Sequence, residues 1–231
     1  MRPDLVWYVA YGSNMHAARL DCYLRGGRPP GGVRDYPGCR DPAAPRATRP
    51  VVIPGRMYFA LESKVWTGGL ALYDPLDPGR TPGRAYLLTL GQFADLAAQE
   101  MHRAPGLDLD LGDVATTGRV TLGPGRYETV VRVGTADGLP ILTLTSPSRS
   151  ADMPWNAPAA AYLHHLSAGL GEAHGWSRRR AARYLAGCPG AAGTWTEDTI
   201  AALPSPPDPP SRPLPDPASS PDRPPRCPRI G

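Results

Sequence analysis

Trp7-Tyr8-Val9-Ala10-Tyr11-Gly12-Ser13-Asn14-Met15 is the stretch that decides the fold. Its apolar and aromatic first half predicts a buried strand over 5–11, and residues 16–25 after it have the composition of a helix. Such a junction leaves backbone N–H groups unpaired where the helix begins, and these groups can bind a carboxylate or a developing oxyanion. Gly, Ser and Asn are equally common in ordinary strand-to-helix turns, so the stretch alone is compatible with a site and with a plain turn.

Strands and helices follow one another irregularly along the rest of the chain. We predict strands over 51–53, 56–61, 68–73, 84–90, 127–133 and 140–145, and helices over 92–101, 158–173, 176–185 and 196–203. Residues 26–50 are rich in Gly, Pro and Arg and predict an irregular connection. Because the order does not alternate as in a doubly wound sheet, we expect an α+β fold, a small mixed β-barrel of about six strands with flanking helices.

The end of the chain differs in composition from the part before it. Residues 204–231 contain twelve prolines in twenty-eight positions. Such a segment has few apolar side chains to bury, and each proline removes a backbone donor. We therefore predict one globular domain over 1–203, followed by a Pro-rich disordered tail over 204–231.

The charge and the cysteine content of the chain indicate which binding partners and which cellular compartment to expect. The net charge is +4, Lys64 is the only lysine, and the one dense basic run, at 178–183, lies on a helix-like segment that is read as a solvated face. We expect no nucleic-acid partner. No apolar run reaches the about 18 residues that a membrane span requires, and the N-terminus does not resemble a signal peptide. We therefore expect a cytoplasmic protein without membrane contact, in which the cysteines are free.

Glu100 is the carboxylate that we single out. It falls late in the helix predicted over 92–101, close to its apolar side. A partly buried carboxylate has a raised pKa and can transfer protons near neutral pH, whereas a solvated Glu at a helix end would have no such role. Tyr11 and Met15 occupy the places where a serine nucleophile elbow needs glycine, which argues against Ser13 as a nucleophile. No metal-binding or cofactor-binding motif is present, so we expect neither a metal nor a cofactor.

Several segments together resemble one family. Tyr11-Gly12-Ser13-Asn14-Met15, with Arg19-Leu20 shortly after it, resembles the first motif of the γ-glutamylcyclotransferase-like superfamily. Residues 65–75 look like its second barrel segment, 83–88 followed by a helix and Glu100 look like the segment that holds its catalytic acid, and 156–162 look like its Pro-x-x-x-Tyr helix start. These segments arrive in the family's order and span about residues 5–185.

The resemblance implies a cofactor-free cyclotransferase that cleaves a γ-glutamyl amine or peptide, its small-molecule substrate, to 5-oxoproline and a free amine. Glu100 would be the general acid/base. The substrate-binding residues that the resemblance implies are Tyr11, Gly12, Ser13, Asn14, Met15 and Tyr162. Backbone N–H groups of the turn at 12–14 would hold the substrate carboxylate and polarise its carbonyl, Tyr11 would wall the cavity, and Tyr162 would hydrogen-bond across it.

Two features depart from the family's pattern. Met101 and His102 follow Glu100, where the family commonly has glycine, and long insertions occupy 26–50 and 102–125. Two alternatives stay open: an amidohydrolase or acyltransferase on the same barrel, and a catalytically inactive small-molecule-binding or interaction module. The sequence specifies neither the acceptor amine nor the oligomeric state.

Overall fold

The fold is built on a mixed six-stranded sheet with flanking helices. The computed structural model describes residues 5–29 and 34–204. The strands are β1 (Leu5–Ala10), β2 (Ala47–Pro54), β3 (Arg56–Ala60), β4 (Leu70–Asp74), β5 (Arg80–Thr89), β6 (Arg119–Thr121), β7 (Thr129–Ala136) and β8 (Leu139–Thr145). The helices are α1 (Ala17–Arg25), α2 (Leu90–Glu100), α3 (Gly112–Thr117), α4 (Ala160–His174), α5 (Arg178–Ala186) and α6 (Glu197–Ala201), and short 3₁₀ turns lie at Ser13–Met15 and Ser150–Asp152.

Strand β1 lies near the centre of the sheet, in the order β2-β5-β1-β8-β7-β6. It pairs antiparallel with β5 and parallel with β8. Every residue from Val6 to Ala10 is buried, as in a strand that is covered on both faces. The predicted α+β class, with a mixed sheet of six strands and flanking helices, is therefore confirmed. The turn that begins at Gly12 follows directly after this central strand.

The predicted closure of the sheet into a barrel is wrong. Within the described residues, β2 and β6 are the edge strands of the main sheet, and β3 and β4 form a separate hairpin. The free edge of β4 is occupied by side chains. The Thr145 hydroxyl accepts from the Tyr73 N–H at 2.9 Å and donates to the Tyr73 carbonyl at 2.6 Å, and the Tyr127 hydroxyl donates to the Ala71 carbonyl at 2.8 Å. Because these backbone groups already have partners, the hairpin packs beside β8 without pairing with it.

Two connections contain more regular structure than the sequence predicts. Strand β2 begins at Ala47, inside the segment 26–50 that was expected to be irregular, and it pairs with β5 along its whole length. Helix α3 and strand β6 lie within 102–125, where no element is predicted. Beyond the predicted strand 51–53, the residues at 47–50 and in β6 are exposed or half-buried, so they lack the apolar pattern by which a strand is recognised. The predicted tail lies outside the described residues from position 205 onward.

Helices α2 and α4 approach the turn from different sides. Helix α2 begins with a capping box in which Thr89 and Gln92 exchange hydrogen bonds of 3.1 Å, which fixes where the helix starts and so places Glu100 in its last turn. Helix α4 comes closest at Gly169, where an added Cβ would lie only 2.6 Å from the Met15 Cβ. Glycine at this position therefore sets how near α4 can lie to the turn.

The basic run at 178–183 lies on helix α5. Arg179 and Arg183 both form ion pairs with Glu197 of α6, at 3.0 and 2.9 Å, so part of its positive charge is neutralised inside the chain. None of the helices in the described ranges combines the length and the apolar character that crossing a bilayer requires.

Candidate active site

A cavity lies beside the turn that follows β1. The turn, α1, α2, α4 and the segment before β4 contribute to its walls. Six of the residues proposed from the sequence line it: Tyr11, Gly12, Ser13, Asn14, Glu100 and Tyr162. The seventh, Met15, is completely buried in the core next to the cavity and is not one of the lining residues.

The turn itself exposes backbone donors to this cavity wall. Gly12 precedes the 3₁₀ turn Ser13–Met15, and no side chain caps the turn. Within the described residues, the N–H groups of Gly12, Ser13 and Asn14 donate no hydrogen bond to another part of the chain. Three consecutive free N–H groups form a concave site of the kind that binds an anion or a polarised carbonyl oxygen.

Glu100 faces the same cavity from the C-terminal end of α2. Its Oε1 accepts a hydrogen bond of 2.9 Å from the Asn14 amide nitrogen, which also contacts the Tyr8 hydroxyl at 3.3 Å. The Asn14 side-chain oxygen is buried and has no partner among the described residues. Asn14 therefore connects the carboxylate to the turn, so that the proton-transferring group and the free N–H groups lie on one cavity.

The electrostatic surroundings of Glu100 suit proton transfer. Burial raises the pKa of its carboxyl group above the usual value of 4.5. The charge of Arg19 opposes this shift, and the hydrogen bonds from Tyr23 and Asn14 oppose it further. A carboxylate with a raised pKa is a stronger base towards an ammonium group than a solvated one, and near neutral pH a larger fraction of it is protonated and can donate to a departing amine.

The side chains of Tyr11 and Tyr162 form the part of the cavity wall that lies next to the β3–β4 hairpin. The Tyr11 hydroxyl donates to the Leu144 carbonyl of β8 at 2.8 Å. The Tyr162 hydroxyl accepts from the Ala71 N–H at 3.3 Å. An added Cβ at Gly12 would lie 3.3 Å from the Tyr162 hydroxyl oxygen, so the two residues are immediate neighbours across the cavity.

Arg19 is the most informative lining residue to which the sequence analysis assigned no role. It lies in the first turns of α1 and is only 2% exposed. One of its nitrogens, Nη2, donates to the Tyr36 hydroxyl at 2.6 Å and to the Tyr23 hydroxyl at 3.3 Å. The sequence contains a signal that Arg19 faces the protein interior. Arg19 lies four residues before Tyr23, on the face of α1 that also carries the buried Leu20 and Leu24.

Three further lining residues were not proposed as site residues from the sequence. Trp66 stacks near the Tyr162 ring, with ring centroids 6.0 Å apart. Lys64 and Arg126 line the cavity as well and bring positive charge to it. They belong to loops before β4 and before β7, and no local pattern in these loops indicates that they meet at one cavity.

A buried ion pair holds α2 in place behind Glu100. The Asp95 carboxylate is fully buried and accepts from the Arg40 backbone N–H at 2.8 Å, from Arg40 Nε at 3.0 Å and from the Gly106 N–H at 2.9 Å. The segment 26–50 and the loop after α2 are thereby joined to the helix that carries Glu100. Gln99 adds a bond of 3.0 Å from its amide nitrogen to the Tyr23 carbonyl of α1.

The residues after Glu100 show where left-handed backbone is needed. Met101 has φ −78°, which any residue adopts. The left-handed conformation falls on His102, with φ 59°. Methionine at 101 is therefore compatible with the chain path after Glu100, and the departure from the family's glycine does not displace the carboxylate from the cavity.

Among the described residues, no group of three or more His, Cys, Asp or Glu side chains is arranged to hold a metal ion. The groups that line the cavity instead are a carboxylate, hydroxyls, backbone N–H groups and cationic side chains. These groups can bind an anionic or zwitterionic small molecule and can move protons on it.

Comparisons with known proteins find similarity to a curated plant protein and to solved structures. The chain is 33% identical over 198 residues to a protein of Arabidopsis thaliana named histone deacetylase 5, a match that covers 78% of this chain and 30% of the plant protein. The chain thus corresponds to less than a third of the length of that relative. No family model matches the sequence.

The two solved structures cover nearly all of their own chains. One is an uncharacterized protein from Homo sapiens, at 18% identity and a TM-score of 0.48, with 85% of this chain and 96% of the human chain covered. The other is named gamma-glutamyl cyclotransferase, at 16% identity and a TM-score of 0.48, with 85% of this chain and 95% of the other covered.

Proposed function

We propose that this protein is a cyclotransferase that converts a γ-glutamyl amine or peptide to 5-oxoproline and a free amine. The observation that carries the proposal is the hydrogen bond of 2.9 Å between Glu100 and Asn14, because it joins a carboxylate of raised pKa to a turn with three free N–H groups on one cavity. The resemblance of the motifs at 11–15, 83–100 and 156–162 to the γ-glutamylcyclotransferase-like superfamily supports the same reaction.

The reaction needs little more than a held conformation and a proton carrier. The α-amine of a γ-glutamyl group reaches its own γ-carbonyl carbon in a five-membered ring, so a site that holds the folded conformer removes most of the entropic barrier. In its ionised form, Glu100 takes one proton from the α-ammonium group, and the freed amine attacks the γ-carbonyl. Glu100 then gives this proton to the departing nitrogen as the old C–N bond breaks. Glu100, ionised again, accepts the second proton of the attacking nitrogen and passes it to the released amine, which leaves as an ammonium ion.

The turn stabilises the charge that develops on the carbonyl oxygen. As the tetrahedral intermediate forms, negative charge grows on that oxygen, and free N–H groups at Gly12, Ser13 and Asn14 are the available donors. Tyr162 borders the same space next to Gly12 and restricts the positions open to the ring that forms. Tyr11 contributes the wall behind it through its bond to Leu144.

The acid limb of the pH–rate profile should report Glu100. The residue acts first as a base and must therefore be ionised. Because burial raises its pKa above 4.5, activity should fall with decreasing pH at a midpoint above that value. When the amine part of the substrate has no ionisable group of its own, the midpoint of kcat/KM is the pKa of Glu100 in the free enzyme.

The direct test is release of 5-oxoproline from a panel of γ-glutamyl amines and peptides by the wild type and by Glu100→Gln. Removal of a general acid/base lowers rates by typically 10²–10⁴-fold, so the variant should lose at least about a hundredfold of kcat at neutral pH. Equal turnover by the two proteins would reject the role of Glu100. Glu197→Gln, which alters a carboxylate paired with arginines on α5, is the matched control and should keep full activity.

Product analysis separates the alternatives. A lactam identifies a cyclotransferase, whereas a linear glutamate identifies hydrolysis on the same site. Because the matched plant protein is named a histone deacetylase, an acetylated histone peptide belongs in the panel, with acetate as its product. Absence of turnover on every member would reject the cyclotransferase and favour a binding module.

A further inference from the structure

The guanidinium group of Arg19 is an unusual element of this site. It is a buried cation, and in the part of the chain that the structure describes no carboxylate lies within 4 Å of it. Two of its nitrogens, Nε and Nη1, are buried and have no hydrogen-bond partner there. A buried charge with unsatisfied donors is costly, so a protein keeps one only where something supplies the missing acceptor.

The remaining contacts of Arg19 hold the group in place without neutralising it. Its guanidinium carbon lies 4.4 Å from the centroid of the Tyr36 ring, 4.6 Å from that of Tyr23 and 5.8 Å from that of Trp66. Aromatic faces attract a cation, and the hydroxyls of Tyr23 and Tyr36 accept from Nη2 alone. The N–H donors of Nε and Nη1, which lie on different edges of the planar group, are thus not used by these contacts.

We infer that Arg19 binds the α-carboxylate of the γ-glutamyl group, while Glu100 faces its α-ammonium group. This inference rests on the proposed function and specifies the substrate as a free α-amino acid head group. In such a head group the ammonium nitrogen and the carboxylate carbon are only about 2.5 Å apart. A cation and an anion on one cavity are therefore the complement of both ends at once.

A role for Arg19 also removes a conflict in what is expected of the turn at 12–14. By the resemblance, this turn would both hold the substrate carboxylate and polarise the carbonyl. A charged guanidinium with free N–H donors on Nε and Nη1 attracts a carboxylate more strongly than neutral backbone N–H groups do. With the carboxylate bound by Arg19, the N–H groups of the turn are left for the carbonyl oxygen alone.

The charges of the other lining residues fit the same substrate. Lys64 and Arg126 are cationic, and Glu100 is the only acidic side chain among the lining residues that the structure describes. A ligand whose carboxylate is free is therefore favoured over one in which it is blocked as a neutral amide.

The test compares 5-oxoproline with 5-oxoprolinamide, in which a neutral carboxamide replaces the carboxylate. Binding to the wild type, Arg19→Gln and Arg19→Lys is measured by calorimetry, with thermal unfolding as the check that each variant is folded. We expect the wild type to prefer the carboxylate by at least about thirtyfold, since an unpaired buried charge costs this much. Arg19→Gln should lose the preference, and Arg149→Gln, which alters an arginine paired with Asp74 outside the cavity, should keep it.

Each outcome decides between the two proposals. An undiminished preference in folded Arg19→Gln would overturn the role of Arg19, even where the wild type forms 5-oxoproline. A preference that depends on Arg19, without lactam from any γ-glutamyl compound, would leave Arg19 as a carboxylate site and reject the cyclotransferase. Binding of neither compound by the wild type would overturn the carboxylate site.

A second variant covers a folding failure of Arg19→Gln. Arg19→Lys keeps the charge but replaces the guanidinium donors with a compact ammonium group on a shorter side chain, so it should retain only part of the carboxylate preference. A full wild-type preference in Arg19→Lys, with Arg19→Gln unfolded, would show that the guanidinium makes no specific contact with the carboxylate and would overturn the inference. Turnover adds a readout that a merely structural role would not move: with γ-glutamylglycine, Arg19→Lys should raise KM more than it lowers kcat.

Discussion

Two groups of buried charged and polar side chains in this molecule differ in how fully their hydrogen-bonding capacity is used. At Asp95 and Asp74, each carboxylate is almost completely buried and accepts at least three hydrogen bonds, from an arginine side chain and from backbone N–H groups. At the cavity, Glu100 has a raised pKa, Asn14 has an unpartnered oxygen, and Arg19 has two unpartnered nitrogens.

We infer that the first group serves the fold and that the second is kept for the proposed site. Asp95 and Asp74 fasten loops to the helices and strands of the fold, and their hydrogen-bonding capacity is used within the chain. The cavity groups retain capacity that only a ligand can use. Stability should therefore depend on the first group, and ligand binding and turnover on the second.

The largest stability effect is expected at Asp95. Asp95→Ala removes the acceptor of the Arg40 and Gly106 N–H groups and breaks a pair whose acidic side is fully buried, so it should lower the free energy of unfolding by about 3 kcal/mol or more. Urea unfolding measures this change. Asp108→Ala is the matched control, because Asp108 contacts the same arginine at 2.7 Å but is 81% exposed. The control should change stability by less than about 0.5 kcal/mol, and equal losses in the two variants would contradict the comparison.

The next prediction uses pH, because Asp74 and Glu100 should act with opposite signs. Although burial raises the pKa of the Asp74 carboxyl, hydrogen bonds from the Ser150 N–H and Arg149 outweigh this effect and bring it below 3.8. The stabilisation by Asp74 is thus present above its unfolded pKa and is lost as the pH falls through its folded value. At pH 7, Asp74→Asn should cost about 2 kcal/mol, and the cost should shrink in acid.

For Glu100 the sign is reversed. Its folded pKa is raised, so its contribution to stability is complete below its unfolded pKa and is lost as the pH rises through the folded value. Glu100→Gln should therefore gain stability relative to the wild type as the pH rises above about 4.5, whereas Asp74→Asn loses stability relative to the wild type there. Thermal unfolding of the three proteins across this range checks both signs, and a Glu100→Gln variant that loses stability with rising pH would contradict the assignment.

The elements predicted from sequence are those with a local signal. Strand β1 and helix α2 combine apolar periodicity with recognisable ends, such as the capping box at Thr89 and Gln92. The part of β2 over 51–53 was predicted, and 47–50 was missed because these residues are exposed or half-buried and show no apolar pattern, although β5 pairs with the whole strand. Closure of the sheet was predicted wrongly, since strand count alone does not show that the Thr145 hydroxyl occupies the edge of β4.

The residues of the candidate site also divide into those with a local signal in the sequence and those without one. Gly12, Ser13 and Asn14 are contiguous and Glu100 lies on a predicted helix, so sequence reasoning could name them together. Arg19 belongs to the quoted motif and has a helical spacing to Tyr23, but neither signal by itself assigns it a role in the site. Lys64, Trp66 and Arg126 lie on loops whose meeting at one cavity follows from tertiary packing, which no local pattern encodes. The role of the proposed residues in catalysis stays a prediction.

Gly169 offers a test of how strictly the fold positions the turn. In Gly169→Ala the added Cβ would lie 2.6 Å from the Met15 Cβ and 2.8 Å from the His16 nitrogen, so α4 or the turn must shift. We expect a loss of about 1–3 kcal/mol of stability and, in the folded fraction, a lower kcat. Gly171→Ala, whose Cβ would have 3.6 Å of space on the same helix, is the control. Equal effects of the two substitutions would mean that the close approach at Gly169 does not hold the turn.

The smallest effect is expected at His102, and it tests the backbone that follows Glu100. A left-handed φ of 59° is unfavourable for a residue with a Cβ, while glycine adopts it freely. His102→Gly should therefore stabilise the protein by about 0.5 kcal/mol, after the greater freedom of glycine in the unfolded chain and the loss of the exposed contact with Arg34 are counted. Met101→Gly should have the opposite sign, because φ −78° gives glycine no advantage and a buried side chain is lost. Stabilisation by glycine at 101, measured by thermal unfolding, would mean that the chain needs its left-handed residue directly after Glu100, and the carboxylate would then be held differently from the arrangement described above.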